Sequence, residues 1–201
     1  MTSRTETLGT RTAAVERRTR ETQVEVLLAL DGTSTTEIAT GIGFLDHLLQ
    51  QVALHGGLDL TVRCQGDLHV DDHHTAEDVA LTLGQALDRA LGDRSGMARF
   101  GWAYAPLEET LARAVVDLAA RPFAVIRLGL ERERLGALSC ENVPHILRSL
   151  SAAGRFTLHV EVLHGDNDHH RAEAAFKALG LALRAAVARR GSEAASTKGV
   201  L

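Results

Sequence analysis

Cysteine is nearly missing from these 201 residues: Cys64 and Cys140 are the only two. They make neither a CxxC pair nor a disulfide framework, which points to a reducing compartment and a cytoplasmic location. Aromatic residues amount to 3%, too few for a platform on which nucleic-acid bases could stack. No run of lysine and arginine is present to follow a phosphate backbone, and a net charge of −4 gives nucleic acid no reason to bind. No apolar stretch approaches the length of a membrane span, and the first residues lack the apolar segment of a signal peptide. Nucleic acid and membrane are therefore excluded as partners. What is present is a hydrophobic fraction of 45%, enough to build a proper core in one large domain or two small ones.

Histidine is abundant, with ten in all, and four of these occur as two pairs in a repeated stretch. Asp71-Asp72-His73-His74-Thr75-Ala76-Glu77-Asp78 returns as Asn167-Asp168-His169-His170-Arg171-Ala172-Glu173-Ala174, 96 residues further on (73 to 169). Behind the first copy Val79, Ala80, Leu83, Leu87 and Ala90 follow helical spacing, and Ala175, Phe176, Leu179, Leu183 and Ala186 repeat it at the same offset. Asp72 and Asp168 stand in N-cap position, so that His73 and His169 open the first turn. His73 and Glu77 then share one helix face, as do His169 and Glu173, and each imidazole–carboxylate pair can hold one metal ion. His74 and His170 are rotated about 100° around the axis and must point elsewhere.

Taken in order, residues 1–12 form a loose polar terminus. Residues 13–96 and 97–190 make two half-repeats, and 191–201 a tail. In the first half, strands over Ala13–Arg20 and Thr22–Leu30 lead through the turn signal Asp31-Gly32 to a third ending at Ile38. A helix follows over Phe44–Leu54, closed by His55-Gly56-Gly57, then a strand from Leu58 to Cys64 and the first HH helix. The second half repeats this with strands over Phe100–Ala105, Thr110–Leu118 and Phe123–Leu130. A charged, exposed loop from Glu131 to Gly136 precedes a helix over Val143–Leu150, with Pro144 in its first turn. A strand over Phe156–Leu163 and the second HH helix complete it. Each half reads β-β-β-α-β-α, an α+β unit with helices on one face of a mainly antiparallel sheet.

The repeat supplies one more pair: the shorter helix carries His47 in the first half and His145 in the second. Two metal sites related by the internal two-fold then each draw on both halves. One set is His47, His74, His169 and Glu173; its mirror is His145, His170, His73 and Glu77. One HHxxxE alone is usually a polar cap or surface group; its recurrence in register, with His47 and His145 matched, favours metal. His69, His159 and His164 lie on or beside strands and read as structural or surface groups, while the pattern around His55 leaves it open.

Together these motifs resemble imidazoleglycerol-phosphate dehydratase. The resemblance rests on Glu21-Thr22, Gly41-Ile42-Gly43-Phe44-Leu45-Asp46-His47, the run from Gly66 to Thr75, Asn167-Asp168-His169-His170 and Ser196-Thr197-Lys198-Gly199-Val200-Leu201. It covers nearly the whole chain from about Arg11 and looks like the monofunctional form, with no fused phosphatase domain expected. It implies dehydration of D-erythro-imidazoleglycerol phosphate to imidazole acetol phosphate in histidine biosynthesis. It also implies two Mn(2+) ions per active site, held by the eight ligands above, and a 24-subunit shell with active sites completed between subunits. Glu21 matches the family's substrate-contacting acid/base. His55, Arg99, Arg121, Lys177, Ser196 and Lys198 match positions that bind the phosphate substrate, and Lys177 also lies on the Glu173 face of its helix. Any one of these cations taken alone reads as a solvated surface charge.

Two metals make chemical sense of such a reaction. The C2 proton of the glycerol chain is not acidified by a carbonyl, but a substrate imidazolate bound by two metal ions can expel the C1 hydroxyl first. The diazafulvene-like species so formed has a C2 proton that Glu21 can take. A metallohydrolase using the same His/Glu sites, against which a fixed phosphate-binding set and slow hydrolysis would argue, and a non-catalytic metal-stabilised oligomer, which has no need of Glu21 or the Lys198 tail, rank below this reading. Three features depart from the family pattern. Asp166 replaces a common Arg or Lys, the tail lacks a proline before Ser196, and the Glu131–Cys140 connection is short.

Overall fold

The computed structural model describes residues 11–193 and 195–197. The first half runs β1 (Thr12–Arg18), β2 (Thr22–Ala29), β3 (Thr36–Ala39), α1 (Gly43–Gly56), β4 (Asp59–Gly66) and α2 (His73–Leu91). The second runs β5 (Phe100–Leu107), β6 (Thr110–Asp117), β7 (Phe123–Arg127), α3 (Asn142–Ala153), β10 (Thr157–His164) and α4 (Asp168–Val187). A small hairpin, β8 (Arg134–Leu135) with β9 (Leu138–Ser139), is inserted before α3. It begins at the end of the stretch that reads as an exposed charged loop, and its own Leu135 and Leu138 are buried.

Two four-stranded sheets result, in the orders β1-β2-β4-β3 and β5-β6-β10-β7. Each is antiparallel except at one edge, where β3 runs parallel to β4 and β7 parallel to β10. A parallel neighbour needs a crossover, and α1 and α3 are those crossovers. Along β2 the alternation is complete: Thr22, Val24, Val26 and Leu28 are buried, while Gln23 and Leu27 are exposed. One face of each sheet is therefore apolar and takes helices.

α2 lies on β1 and β2, and α4 on β5 and β6; α2 then packs against α3, and α1 against α4. Every helix–helix pair thus joins one helix from each half. Two glycines 96 positions apart permit these crossings. A Cβ on Gly84 would stand 2.7 Å from both Leu150 O and Ala153 Cβ of α3; one on Gly180 would stand 2.8 Å from Val52 O of α1. Only a bare Cα allows backbones so close. Phe156, Phe176, Ile42 and Leu45 are among the fully buried side chains, each contributing roughly 1.5–3 kcal/mol.

Two local readings are corrected. Thr12 already pairs with Ala29, and Arg11 donates to Asp31 at 3.0 Å and to Val187 O at 2.6 Å, so order begins before residue 13. Neither aspartate caps its helix through its side chain: Asp72 holds the N-cap position of α2 but makes no capping bond, and Asp168 is the first residue of α4, whose N-cap is Asn167. Asp71 accepts from His73 N at 2.8 Å, and Asn167 accepts from His169 N at 2.9 Å. The two aspartates are buried and serve as anchors between segments, as described next.

Candidate metal centres

The α1–α4 crossing sets His47 against His169 and Glu173. His47 Nε2 lies 3.0 Å from Glu173 Oε2, and His169 Nε2 lies 3.1 Å from the same oxygen. Lys177 Nζ sits 2.8 Å from the other oxygen, Oε1. Burial works to raise the Glu173 pKa, but Lys177 and His47 outweigh it and hold the carboxyl at about 2. The His47 approach lacks hydrogen-bond geometry, so its buried Nε2 has no hydrogen-bond partner among the described residues. An orphaned buried nitrogen facing a carboxylate costs stability, and a cation shared by the three groups would remove that cost.

The α2–α3 crossing builds the mirror image. His145 Nε2 is 3.0 Å from Glu77 Oε1, and the rings of His73 and His145 stack with centroids 4.9 Å apart. His73 Nδ1 is 3.0 Å from Asn142 Oδ1, while the same amide's nitrogen donates to Asp72 at 2.9 Å. The amide oxygen must therefore accept, which puts the His73 proton on Nδ1 and leaves Nε2 as a ligand. In each trio the ligand atoms lie within 4.8 Å of one another. Two imidazoles and a carboxylate suit a divalent manganese, iron or zinc ion.

Asp72 and Asp168 explain how the trios stay together. Asp72 accepts from Ser139 N and Oγ, both at 2.7 Å, and from Asn142, so the start of α2 is tied to the start of α3. Asp168 accepts from Glu131 N at 2.8 Å and Arg132 N at 2.6 Å. Burial pushes the Asp72 pKa up, but the bonds from Ser139 and Asn142 outweigh this and leave it below its usual value. A depressed carboxylate stabilises the fold above the ordinary carboxylate range, and loses that contribution as pH falls through its lower folded value. Asp72→Asn is expected to cost about 1.5–3 kcal/mol at pH 7, with the gap to wild type narrowing in acid. Urea unfolding at fixed protein concentration in chelator checks this.

His74 and His170 are not in these trios. The rings of His73 and His74 cross at 76°, those of His169 and His170 at 89°, as their rotation on the helix demands. His74 Nδ1 is 3.0 Å from Asp67 Oδ2, and its Nε2 is 3.8 Å from Glu21. The Asp67 bond, helped by Glu21, outweighs desolvation and raises the His74 pKa. His170 Nδ1 is 2.8 Å from Glu109 Oε2. Each expected set of four is thus present in one chain as three plus a separate fourth.

Residues 40–183 match the family model described as imidazoleglycerol-phosphate dehydratase. The chain belongs to that family. It is 54% identical to the imidazoleglycerol-phosphate dehydratase of Salinibacter ruber, covering 98% of each chain. It is 50% identical to that of Pyricularia oryzae, covering 95% of this chain and 97% of the relative. The crystal structure of the Staphylococcus aureus enzyme superposes with a TM-score of 0.80 at 35% identity, over 89% of this chain and 99% of that one. That from Pyrococcus furiosus gives 0.80 at 34%, over 93% and 100%. An imidazoleglycerol-phosphate dehydratase is a hydro-lyase.

The other residues expected in a dehydratase site fall into two groups. His55 lies beside the first trio: burial lowers its pKa, the Lys177 charge lowers it further, and Glu173 partly offsets both. Arg99 and Arg121 gather at Asp117, Arg99 at 2.7 and 3.1 Å and Arg121 at 3.9 Å. Arg99 also donates to Ala195 O at 2.7 Å, so it holds the tail next to Ser196. Lys198 lies outside the described residues. Sequence reasoning passed over Asp67, Glu109 and Asn142, all of which hold a site histidine. A carboxylate in a turn, or an amide at the first residue of a helix, carries no periodic signal, so these emerge only from contacts.

Proposed function

We propose that this chain dehydrates D-erythro-imidazoleglycerol phosphate to imidazole acetol phosphate and water, in histidine biosynthesis. The observation that carries the reading is the pair of two-histidine, one-glutamate trios, each built across the two halves of a chain of this family. Both trios fit a metal, given the orphaned His47 Nε2 and the tautomer imposed on His73. We assign them two Mn(2+) ions per active site. When bound, these ions would supply Lewis acidity at the ring nitrogens of the substrate, which is what a route through an imidazolate requires.

His74 and His170, separate from the trios within one chain, complete them from neighbouring copies, and this supports a 24-subunit shell with shared active sites. Glu21 stands 3.8 Å from His74 Nε2, so whatever site His74 completes also receives Glu21, which takes the C2 proton. Lys177, beside the first trio, with Arg99, Arg121 and Lys198, balances the phosphate charge, and Ser196 offers it a hydroxyl. Two free cysteines and a biosynthetic family support a cytoplasmic location.

Protein stripped of metal is expected to be inactive on imidazoleglycerol phosphate, and Mn(II) to restore dehydration, with particle mass recorded in both states. A folded, metal-loaded shell that does not dehydrate this substrate overturns the proposal and leaves a metallohydrolase to be tested.

A further inference from the structure

The two halves repeat the metal ligands, and they also repeat a carboxylate. Glu21 immediately precedes Thr22, the first residue of β2; Glu109 immediately precedes Thr110, the first residue of β6. β2 and β6 hold the same place in their sheets, second in order and next to β4 and β10. Each glutamate faces the second histidine of its own half: Glu21 approaches His74 and Glu109 approaches His170. They use different nitrogens, Nε2 in the first half and Nδ1 in the second.

The cause lies in turn length. Three residues, 19–21, join β1 to β2, but only 108 and 109 join β5 to β6, and Glu108 takes a left-handed φ of 48° to close that turn. Glu109 is drawn in by this shorter turn. Its Oε1 accepts from Thr110 Oγ1 at 3.0 Å, Asp166 N at 3.2 Å and Asn167 N at 3.0 Å. Only Oε2 is left for His170. In the first half the Nδ1 position is taken by Asp67, 3.0 Å from His74, which leaves Glu21 exposed and unengaged with the backbone. Asp166, at the place that matches Asp67 after the strand-end glycine, gives Glu109 only its backbone N–H.

We propose that Glu109 is the counterpart of the acid/base Glu21, converted into a positioning residue: it accepts the Nδ1 proton of His170 and so presents the Nε2 lone pair to a metal ion. Asp67 does the same for His74. An imidazole can coordinate through one nitrogen only while its proton is on the other, and an outer carboxylate settles which. Glu108, Glu109 and His170 are therefore not a third metal site, although their donor atoms lie close enough to suggest one. The duplicated chain keeps two metal trios but one proton-transfer carboxylate, because the second has been spent on orientation.

The inference rests on His170 being a metal ligand, as proposed above. Glu109→Gln keeps an oxygen for the Asp166 and Asn167 amides but turns an N–H toward His170 Nδ1, favouring the tautomer protonated at Nε2. Mn(II) titration of the assembled, metal-stripped protein is expected to show one of two sites weakened about 10–100-fold. The Mn(II) concentration for half-maximal dehydration should rise by a similar factor. Asp67→Ala, which removes the acceptor facing His74 Nδ1 and touches none of the turn bonds of Glu109, should weaken the other site alike and controls for a disturbed turn. Wild-type protein with no Mn(II) site would sink the functional reading itself. Two wild-type sites left unchanged by both variants would overturn only the orienting role, as would a loss of kcat in Glu109→Gln with unaltered Mn(II) affinity.

Discussion

Glu21→Gln is expected to lower kcat by about 10²–10⁴-fold, the usual contribution of a positioned general base, with two manganese ions per chain retained. The substituted group sits on a rigid turn. Thr19 Oγ1 accepts from the Glu21 and Thr22 amides at 3.1 and 2.9 Å, and Thr19 N donates to Thr22 O at 2.9 Å. Thr22 is buried and its hydroxyl is bonded to Asp78. The carboxylate itself is about half exposed, at 52%, and 3.8 Å from His74 Nε2. An amide of the same shape keeps the turn, leaves His74 with Asp67, and cannot take a proton. Single-turnover rates and solvent-deuterium exchange at C2 measure the consequence. Exchange at the wild-type rate in Glu21→Gln would remove the acid/base assignment. A fall in bound manganese would instead mean that Glu21 supports His74 as a ligand.

Much of this site was legible in the sequence because duplication acts as an internal control. A single His-His pair at a helix start has several meanings; the same pair 96 residues later, with both apolar stripes at the same offset, has few. The elements followed for the same reason, since strand alternation and helix spacing are local properties. What was not legible is what crosses between segments. Asp72 and Asp168 look like caps from their neighbours alone, yet their carboxylates are claimed by Ser139 and Asn142 and by the Glu131–Arg132 backbone. The bonds to the His73 and His169 amides then come from Asp71 and Asn167, one residue earlier. Nor does spacing show that α1 packs on α4 rather than on α2, the fact that brings His47 to Glu173. One signal was available and unused: the Glu-Thr step ahead of Thr22 recurs ahead of Thr110, marking Glu109 as a group worth placing.

The second large effect concerns the trios singly. His145→Ala is expected to remove the ion held with His73 and Glu77 and to leave the ion held with His47, His169 and Glu173. Bound manganese should drop from two per chain to one, and dehydration to the background rate. The two ions have separate supports. The two trios use different helix pairs, α2 with α3 and α1 with α4, and share no ligand. Losing an outer-shell partner alone costs about 10–100-fold in metal affinity; losing a coordinating imidazole should cost more than about 100-fold. The fold should tolerate the change, because His145 is only half-buried and its ring contacts His73 and Glu77, with no part in the apolar core. His47→Ala should empty the other trio and spare this one, although it also removes a ring packed near Phe44 and so should lower the metal-free melting temperature slightly. Elemental analysis of each purified variant, beside its melting temperature in chelator, separates loss of metal from loss of fold. If either variant retained two ions at wild-type affinity, the trios would not be the metal centres. If either lost both ions while still folded, the two centres would be coupled across the helix layer, and the duplication would have produced one cooperative site.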